Sequence, residues 1–173
     1  MQRLLSLIDW ISQALAVLSG LMIAVIALLV STEIMLRNLF GHSLSFVWEV
    51  SVYFQMCAIF LASAWTLRTG GHIRVTLVQT AMPRAFEWLA TLVGLAISAV
   101  LSNALVQLAW RYGTSGRSSG STSDIALVYP AAAMAVGAVL LTIQIALRLL
   151  RLGLGMAPEL EVTGEEQTAP NMD

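Results

Sequence analysis

Three ionisable residues stand out in the stretch LVSTEIMLRNLFGHSLSFVWEVSVYF, residues 29–54: Glu33, Arg37 and Glu49. Charged groups beside hydrocarbon are costly and are kept where they have a partner or a task. Glu33 and Arg37 stand four residues apart, which sets an acid and a base on one face of a helix, with the acid on the favoured N-terminal side. Glu49 opens the next apolar run. A tight hairpin between the two runs would bring Arg37 and Glu49 together with Glu33 as the second partner. The expectation is a charge cluster that locks this hairpin. The alternative is that each charge reaches separately to the lipid headgroups.

Other reactive residues are few. His42 and His72 are the two histidines. In the topology derived below they fall on opposite sides of a membrane, so they share no metal, and neither lies mid-span where a haem ligand would sit. Cys57 is the single cysteine, which excludes an internal disulfide and a CxxC metal site. Lying within an apolar run, it reads as a small buried thiol. No Ser/His/Asp set, Cys/His pair or close pair of carboxylates shares one location. The stretch GTSGRSSGSTSD is rich in glycine but matches neither the GxGxxG nor the P-loop spacing for phosphate. Asn103, Gln55 and Gln107 are the stronger polar groups inside the apolar runs and read as hydrogen-bonded packing. No catalytic residue, metal or cofactor is expected, and the chain reads as a non-enzyme.

The elements that carry these residues follow from composition. The chain has 173 residues, 58% hydrophobic and 11% charged, with mean hydropathy +0.81. A soluble domain carries about 25% charged residues. All basic residues are arginine and the net charge is −1, so no basic field draws nucleic acid. Four runs reach the roughly 20 apolar residues that a helix needs to cross a bilayer. They place spans at about residues 10–37, 44–67, 86–110 and 128–150. The fold class expected is therefore all-α: an integral membrane protein of four helices over residues 1–155. The first run outlasts a signal-peptide core and lacks a small-x-small cleavage site, so it reads as a span. Asn38 and Gly41 end it.

Arginine placement orients the helices. Arg3, Arg68, Arg74, Arg84, Arg148 and Arg151 fall on one side, and Arg37, Arg111 and Arg117 on the other. The larger set marks the cytoplasm, so both termini are expected there. Trp10, Trp48, Trp65, Trp88 and Trp110 fall near span ends, as interfacial anchors do. Between spans two and three, RTGGHIRVTLVQTAMPR fits both strand and helix periods. An isolated strand at a membrane surface leaves backbone groups unpaired, so a short interfacial helix is preferred. Gly70 and Gly71 would bend into it and Pro83 would end it. The outer loop, GTSGRSSGSTSD, reads as a flexible connection. Residues 156–173 read as a disordered acidic cytoplasmic tail.

Weakly polar and small residues collect on particular faces. Span three carries Ala90, Gly94, Ser98 and Ser102 at four-residue spacing, a stripe that permits close helix approach in lipid. Span four repeats this more weakly with Ala133 and Gly137. On span two, Glu49, Met56 and Ser63 recur every seven residues, with Ser45 above them. These faces serve either packing within the chain or docking against another membrane protein. With no mid-span ion-carrying group, no internal repeat and no broken helix pair of the kind that forms a central transport site, the chain reads as a partner subunit.

Three blocks then carry a family resemblance over most of residues 5–150. They are LRNLFGHSLSFVWEVSVYF, AWTLRTGGHIRVTLV followed by MPR, and VYPAAAMAVGAVLLTIQ. Taken in order, with four spans, the chain resembles the small membrane subunit, DctQ-like, of tripartite ATP-independent periplasmic (TRAP) transporters. It departs from the family pattern at Val50 and Thr76, where acids are common. The resemblance implies a bacterial inner-membrane protein that binds the large, DctM-like subunit, which holds the substrate and sodium sites. It also implies a transient partner, a DctP-like periplasmic binding protein that delivers an organic acid. The small subunit would belong to the fixed scaffold, surrounded by membrane lipids and free of nucleic acid. Trp48, Glu49, Arg68 and His72 match the family blocks and are given structural or interface roles. Glu33, Arg37, Gly94 and Ser98 join them from the charge cluster and the small-residue stripe. The outer loop 111–127 is a candidate contact for the binding protein. The rival readings are a haem- or quinone-binding anchor of an oxidoreductase and a self-contained small carrier.

Overall fold

A computed structural model describes residues 2–69, 83–121 and 123–154. Among them stand four helices and no strand: α1 (Gln2–Phe40), α2 (Ser45–Arg68), α3 (Pro83–Ser115) and α4 (Val128–Gly153). Each is long and apolar enough to cross a membrane. The all-helical, four-span fold class is the one read from the sequence. The interfacial helix expected around 72–82, His72 within it, and the acidic tail 156–173 lie outside the described residues.

Helix ends follow local chemistry. α1 stops at Phe40 because Gly41 takes φ +68, the left-handed cap that glycine adopts at no steric cost. The Gly41 N–H donates to the Arg37 carbonyl at 3.1 Å, closing the last turn. Pro83 is the first residue of α3. The first turn of a helix has no intrahelical use for its N–H groups, so a residue lacking one and fixed near φ −65° suits that position. With 39 residues, α1 is about 58 Å long at 1.5 Å per residue. That is nearly twice the roughly 30 Å hydrocarbon thickness, so α1 tilts or projects beyond it.

The helices form an open row in the order α1, α2, α4, α3, each packed on its neighbour in that row. The tightest seam is α2 on α4. Ala58, Leu61 and Ala64 of α2 and Ala131, Ala135 and Ala138 of α4 are all buried. At its centre, Gly137 lets the two backbones touch. A Cβ there would collide with the Phe60 carbonyl and stand 2.9 Å from the Leu61 nitrogen. Cys57 is buried in the same seam, its Sγ donating weakly to the Pro130 carbonyl at 3.8 Å. Burial explains why this thiol is structural, as its apolar surroundings in the sequence suggest.

α3 rests on α4 through Thr91, Ser98 and Ser102, which are buried. Ser102 Oγ lies 2.7 Å from Thr142 Oγ1. Thr142 spends its own proton on the Ala138 carbonyl at 3.0 Å, so Ser102 is the donor between helices. Because α1 and α3 occupy the edges of the row, both expose long apolar flanks. Leu21, Leu28 and Met35 on α1 and Leu89, Ile97 and Val100 on α3 are exposed.

Candidate functional site

The densest polar chemistry in the described residues lies where α1 begins and α2 and α4 end. Asp9 Oδ2 stands 3.3 Å from Arg68 Nε and 3.9 Å from Arg151 Nη2. Its other oxygen accepts a hydrogen bond from Gln144 Nε2 at 3.0 Å. Gln144 Nε2 also donates to Ser12 Oγ at 3.3 Å. Ser12 is 0% exposed and Gln144 1%. One carboxylate therefore ties three helices. Arg68 and Arg151 both occupy the last turn of their helices, where the negative end of the macrodipole favours a cation. Buried charges persist when paired and hydrogen-bonded, and this junction supplies both conditions. The Asp9–Arg151 contact also brings the start of α1 and the end of α4 to the same end of the row. Trp88 joins them there: a Cβ on Gly153 would stand 3.6 Å from its ring.

The sequence reading passed over this junction. Asp9 sits one residue before the first apolar run and looks like a flank, and Gln144 looks like one polar residue in a long span. Spacing gave a signal. Asp9 and Ser12 share a face at i, i+3, and Gln144 and Arg151 share one at i, i+7. Which helix would face which was not written in either pattern.

At the opposite end, the loop between α3 and α4 is bonded to itself. Ser118 and Ala126 form a β-bridge. The Ser119 N–H donates to the Ile125 carbonyl at 2.9 Å and the Leu127 N–H to the Arg117 carbonyl at 3.1 Å. Gly116 and Gly120 take φ +59 and +64. Serine hydroxyls accept the amides that the bridge leaves over: Ser119 Oγ from Ile125 at 3.2 Å and Ser121 Oγ from Ser123 at 3.3 Å. A Gly/Ser-rich composition suggests flexibility, yet these residues can also fold a loop on itself through short side-chain bonds. Ser121 Oγ then donates to Glu49 Oε2. The carboxylate on α2 thereby anchors the α3–α4 loop.

That use of Glu49 corrects the expected charge lock. Arg37 Nη1 pairs with Glu33 Oε1 at 3.6 Å, as their spacing predicts, while Glu49 turns to the loop. The pair within one helix needs no chain closure, whereas joining Arg37 to Glu49 would. The α1–α2 turn is instead bridged by Ser43 Oγ, which donates to Glu33 Oε1 at 3.2 Å. His42 is exposed in the same turn.

Of the other residues singled out from the sequence, Trp48 is 81% exposed, pointing away from the chain's own core. Arg68 belongs to the junction. Ser98 is buried on α3. Gly94 has room: no atom would lie within 4 Å of a Cβ there. Of the two stripes expected to permit close approach, the weaker one on α4 does so, at Gly137, because α2 and α4 are the pair whose backbones meet. Asn103 and Gln107 are exposed on α3, with Gln107 Nε2 donating to Asn103 Oδ1 at 3.2 Å.

The arrangement offers structural chemistry: an ion junction, a loop clasp and exposed apolar flanks. Among the described residues no three His, Cys, Asp or Glu side chains converge on a point that would hold a metal. Comparison with curated proteins and with solved structures gives no match. Residues 26–154 match the family model for tripartite ATP-independent periplasmic transporters, DctQ component. That match runs from the middle of α1 to the end of α4, across the seam, the loop clasp and two of the three helix ends of the junction. The chain therefore belongs to the DctQ family, the small membrane subunits of TRAP transporters.

Proposed function

We propose that this subunit is a non-enzymatic scaffold in a bacterial inner membrane, holding the large DctM-like subunit during sodium-coupled symport of an organic acid. A DctP-like periplasmic protein would deliver the substrate. Family membership implies association with the other TRAP components in general. The scaffold role draws its support from where the polar groups lie. The charged junction of Asp9, Arg68 and Arg151 is spent on joining the chain's own helices.

The observation that carries the partner contact is the amide pair on α3. Asn103 and Gln107 are exposed on a span otherwise lined by Ile97, Val100 and Val106, facing away from α4. Amide groups left toward hydrocarbon are costly unless another helix satisfies them. The α3 flank is accordingly the face we assign to the large subunit. The loop closed by Ser118 and Ala126 is the assigned contact for the periplasmic protein.

Co-expression with the large subunit tests this reading. The two chains are expected to purify as one complex in mild detergent. Vesicles with all three components are expected to take up an organic acid only with a sodium gradient. Vesicles holding this chain alone are expected to take up none. Uptake by the isolated chain would overturn the scaffold assignment.

A further inference from the structure

α1 and α2 meet near Asp9 and Arg68 and part toward the turn that joins them. On α1 the buried positions with described side chains, Ser12 and Ser19, both lie in the first half of the helix; from Gly20 to Phe40 none is buried. The parting leaves a cleft of about 640 Å³. Its walls are apolar, with Ile26 and Val30 on one side and Val52 and Met56 on the other, and its mouth carries Glu33 and Arg37.

The dimensions fit one leaflet of a membrane. Eleven residues separate Ile26 from Arg37, and eleven separate Ser45 from Met56, which gives about 16 Å of helix on each wall. Half of a roughly 30 Å hydrocarbon core is about 15 Å. The charged mouth therefore lies at headgroup level when the apolar walls span the leaflet beneath it. Two opposite charges lie side by side at that mouth, and the Arg37 side chain is 57% exposed.

Ser51 adds an independent sign. Ser51 lines the cleft, and its hydroxyl is buried and has no hydrogen-bond partner. Thr66 and Thr91, also on helices of this chain, return their protons to the carbonyl four residues back. That is the ordinary outcome for a hydroxyl in a membrane helix. Ser51 keeps its donor for something that enters the cleft.

We propose that the cleft binds one phospholipid with a primary-amine headgroup, of the phosphatidylethanolamine type. Its phosphate meets Arg37, its ammonium meets the Glu33 carboxylate, an ester carbonyl accepts from Ser51, and its acyl chains lie along Ile26, Val30, Val52 and Met56. The adjacent opposite charges select a zwitterion with an N–H donor over choline, which has none, and over glycerol headgroups, which have no cation. The proposal requires a membrane around the chain and is independent of the scaffold reading.

The test is native mass spectrometry of the full-length protein in mild detergent, titrated separately with phosphatidylethanolamine, phosphatidylcholine and phosphatidylglycerol. One ethanolamine lipid is expected to remain bound, with retention about tenfold above the other two, the scale of one charge-assisted hydrogen bond. Glu33→Gln and Arg37→Gln are each expected to remove that preference while helicity by circular dichroism is unchanged. A spin-labelled ethanolamine lipid on the unsubstituted protein gives a second reading: unlabelled ethanolamine lipid should displace its immobilised fraction more effectively than choline lipid. Equal retention of all three headgroups, or a preference that survives both substitutions, would overturn the proposal. So would efficient cross-linking of Met56→Cys to a helix of the large subunit in native membranes, because a protein would then fill the cleft.

Discussion

Asp9, two turns into the first helix, lies 3.3 Å from Arg68 in the last turn of the second, joining residues 59 positions apart in the chain. Both side chains are largely shielded, with 19% and 10% exposure. Removing the acid leaves Arg68 and Arg151 without their shared carboxylate. Asp9→Asn is expected to destabilise the protein by about 3–5 kcal/mol, the range for breaking a buried pair. Unfolding in SDS checks this. Adding Arg68→Gln to Asp9→Asn is expected to cost much less than the sum of the single effects, because the two residues share one interaction. Simple additivity would refute the coupling.

Gly137 and Gly94 are expected to respond in opposite ways to alanine. At Gly137 the new methyl meets the backbone of Phe60 and Leu61, which cannot rotate away. Overpacking of this kind costs about 1–3 kcal/mol or more. At Gly94 the methyl enters open space, and alanine favours the helix by up to about 1 kcal/mol. Thermal stability of the isolated subunit should fall for G137A and hold or rise for G94A.

Glu49→Ala is expected to release the outer loop. The carboxylate accepts from Ser121, and Ser121 and Ser119 in turn lie 2.9 Å apart through their hydroxyls. Hydrogen exchange at the Ser119 and Ile125 amides should quicken, while exchange in the α2–α4 seam stays as it was. Unchanged protection of both amides would show that the bridge at Ser118 and Ala126 holds the loop unaided.

Ser102→Ala tests the bond between α3 and α4. Interhelical hydroxyl bonds in membranes average about 0.6 kcal/mol, with a maximum near 1.7 kcal/mol. A loss within that span is expected from steric-trapping measurements. A larger loss would mean that the burial of Ser98 and Thr91 depends on Ser102.

Replacing Asn103 and Gln107 together by leucine is expected to weaken assembly with the large subunit and to leave the fold of the isolated chain intact. The two amides touch each other and lie away from α4, so the chain itself loses little. The recovery of the large subunit in a tandem purification reads the effect. Full recovery would move the docking face elsewhere in the row.

Much of this fold was legible in residue order. Four apolar runs gave four helices, Gly41 ended the first, and the spacing of Glu33 and Arg37 gave their ion pair. Cys57 is buried as its setting suggested. Pairing between distant elements was not legible. Nothing near Glu49 in the sequence points to Ser121, and nothing near Asp9 points to Gln144 or Arg151, because each contact depends on which helices become neighbours. Periodicity assigns a residue to a face; it does not name the helix that face meets. The same limit left the close backbone approach open between the stripe of Gly94 and the weaker one of Gly137. The order of the row puts it at Gly137. Composition was silent on the α3–α4 loop's internal bonding, where serine hydroxyls accept the amides of Ile125 and Ser123.

The row order also bears on biogenesis. α3 is made before α4, yet α4 lies between α3 and the rest of the chain. When the third segment leaves the translocon, the neighbour that covers Ser98, Ser102 and Thr91 has not yet been synthesised. The first two helices can pair as a finished hairpin, whereas the third must wait in lipid with Thr91 and Ser98 bonded to its own backbone and Ser102 without its Thr142 partner. Insertion of the last segment then completes two contacts at once, and the row is finished by filling its interior last rather than by adding helices from one end to the other.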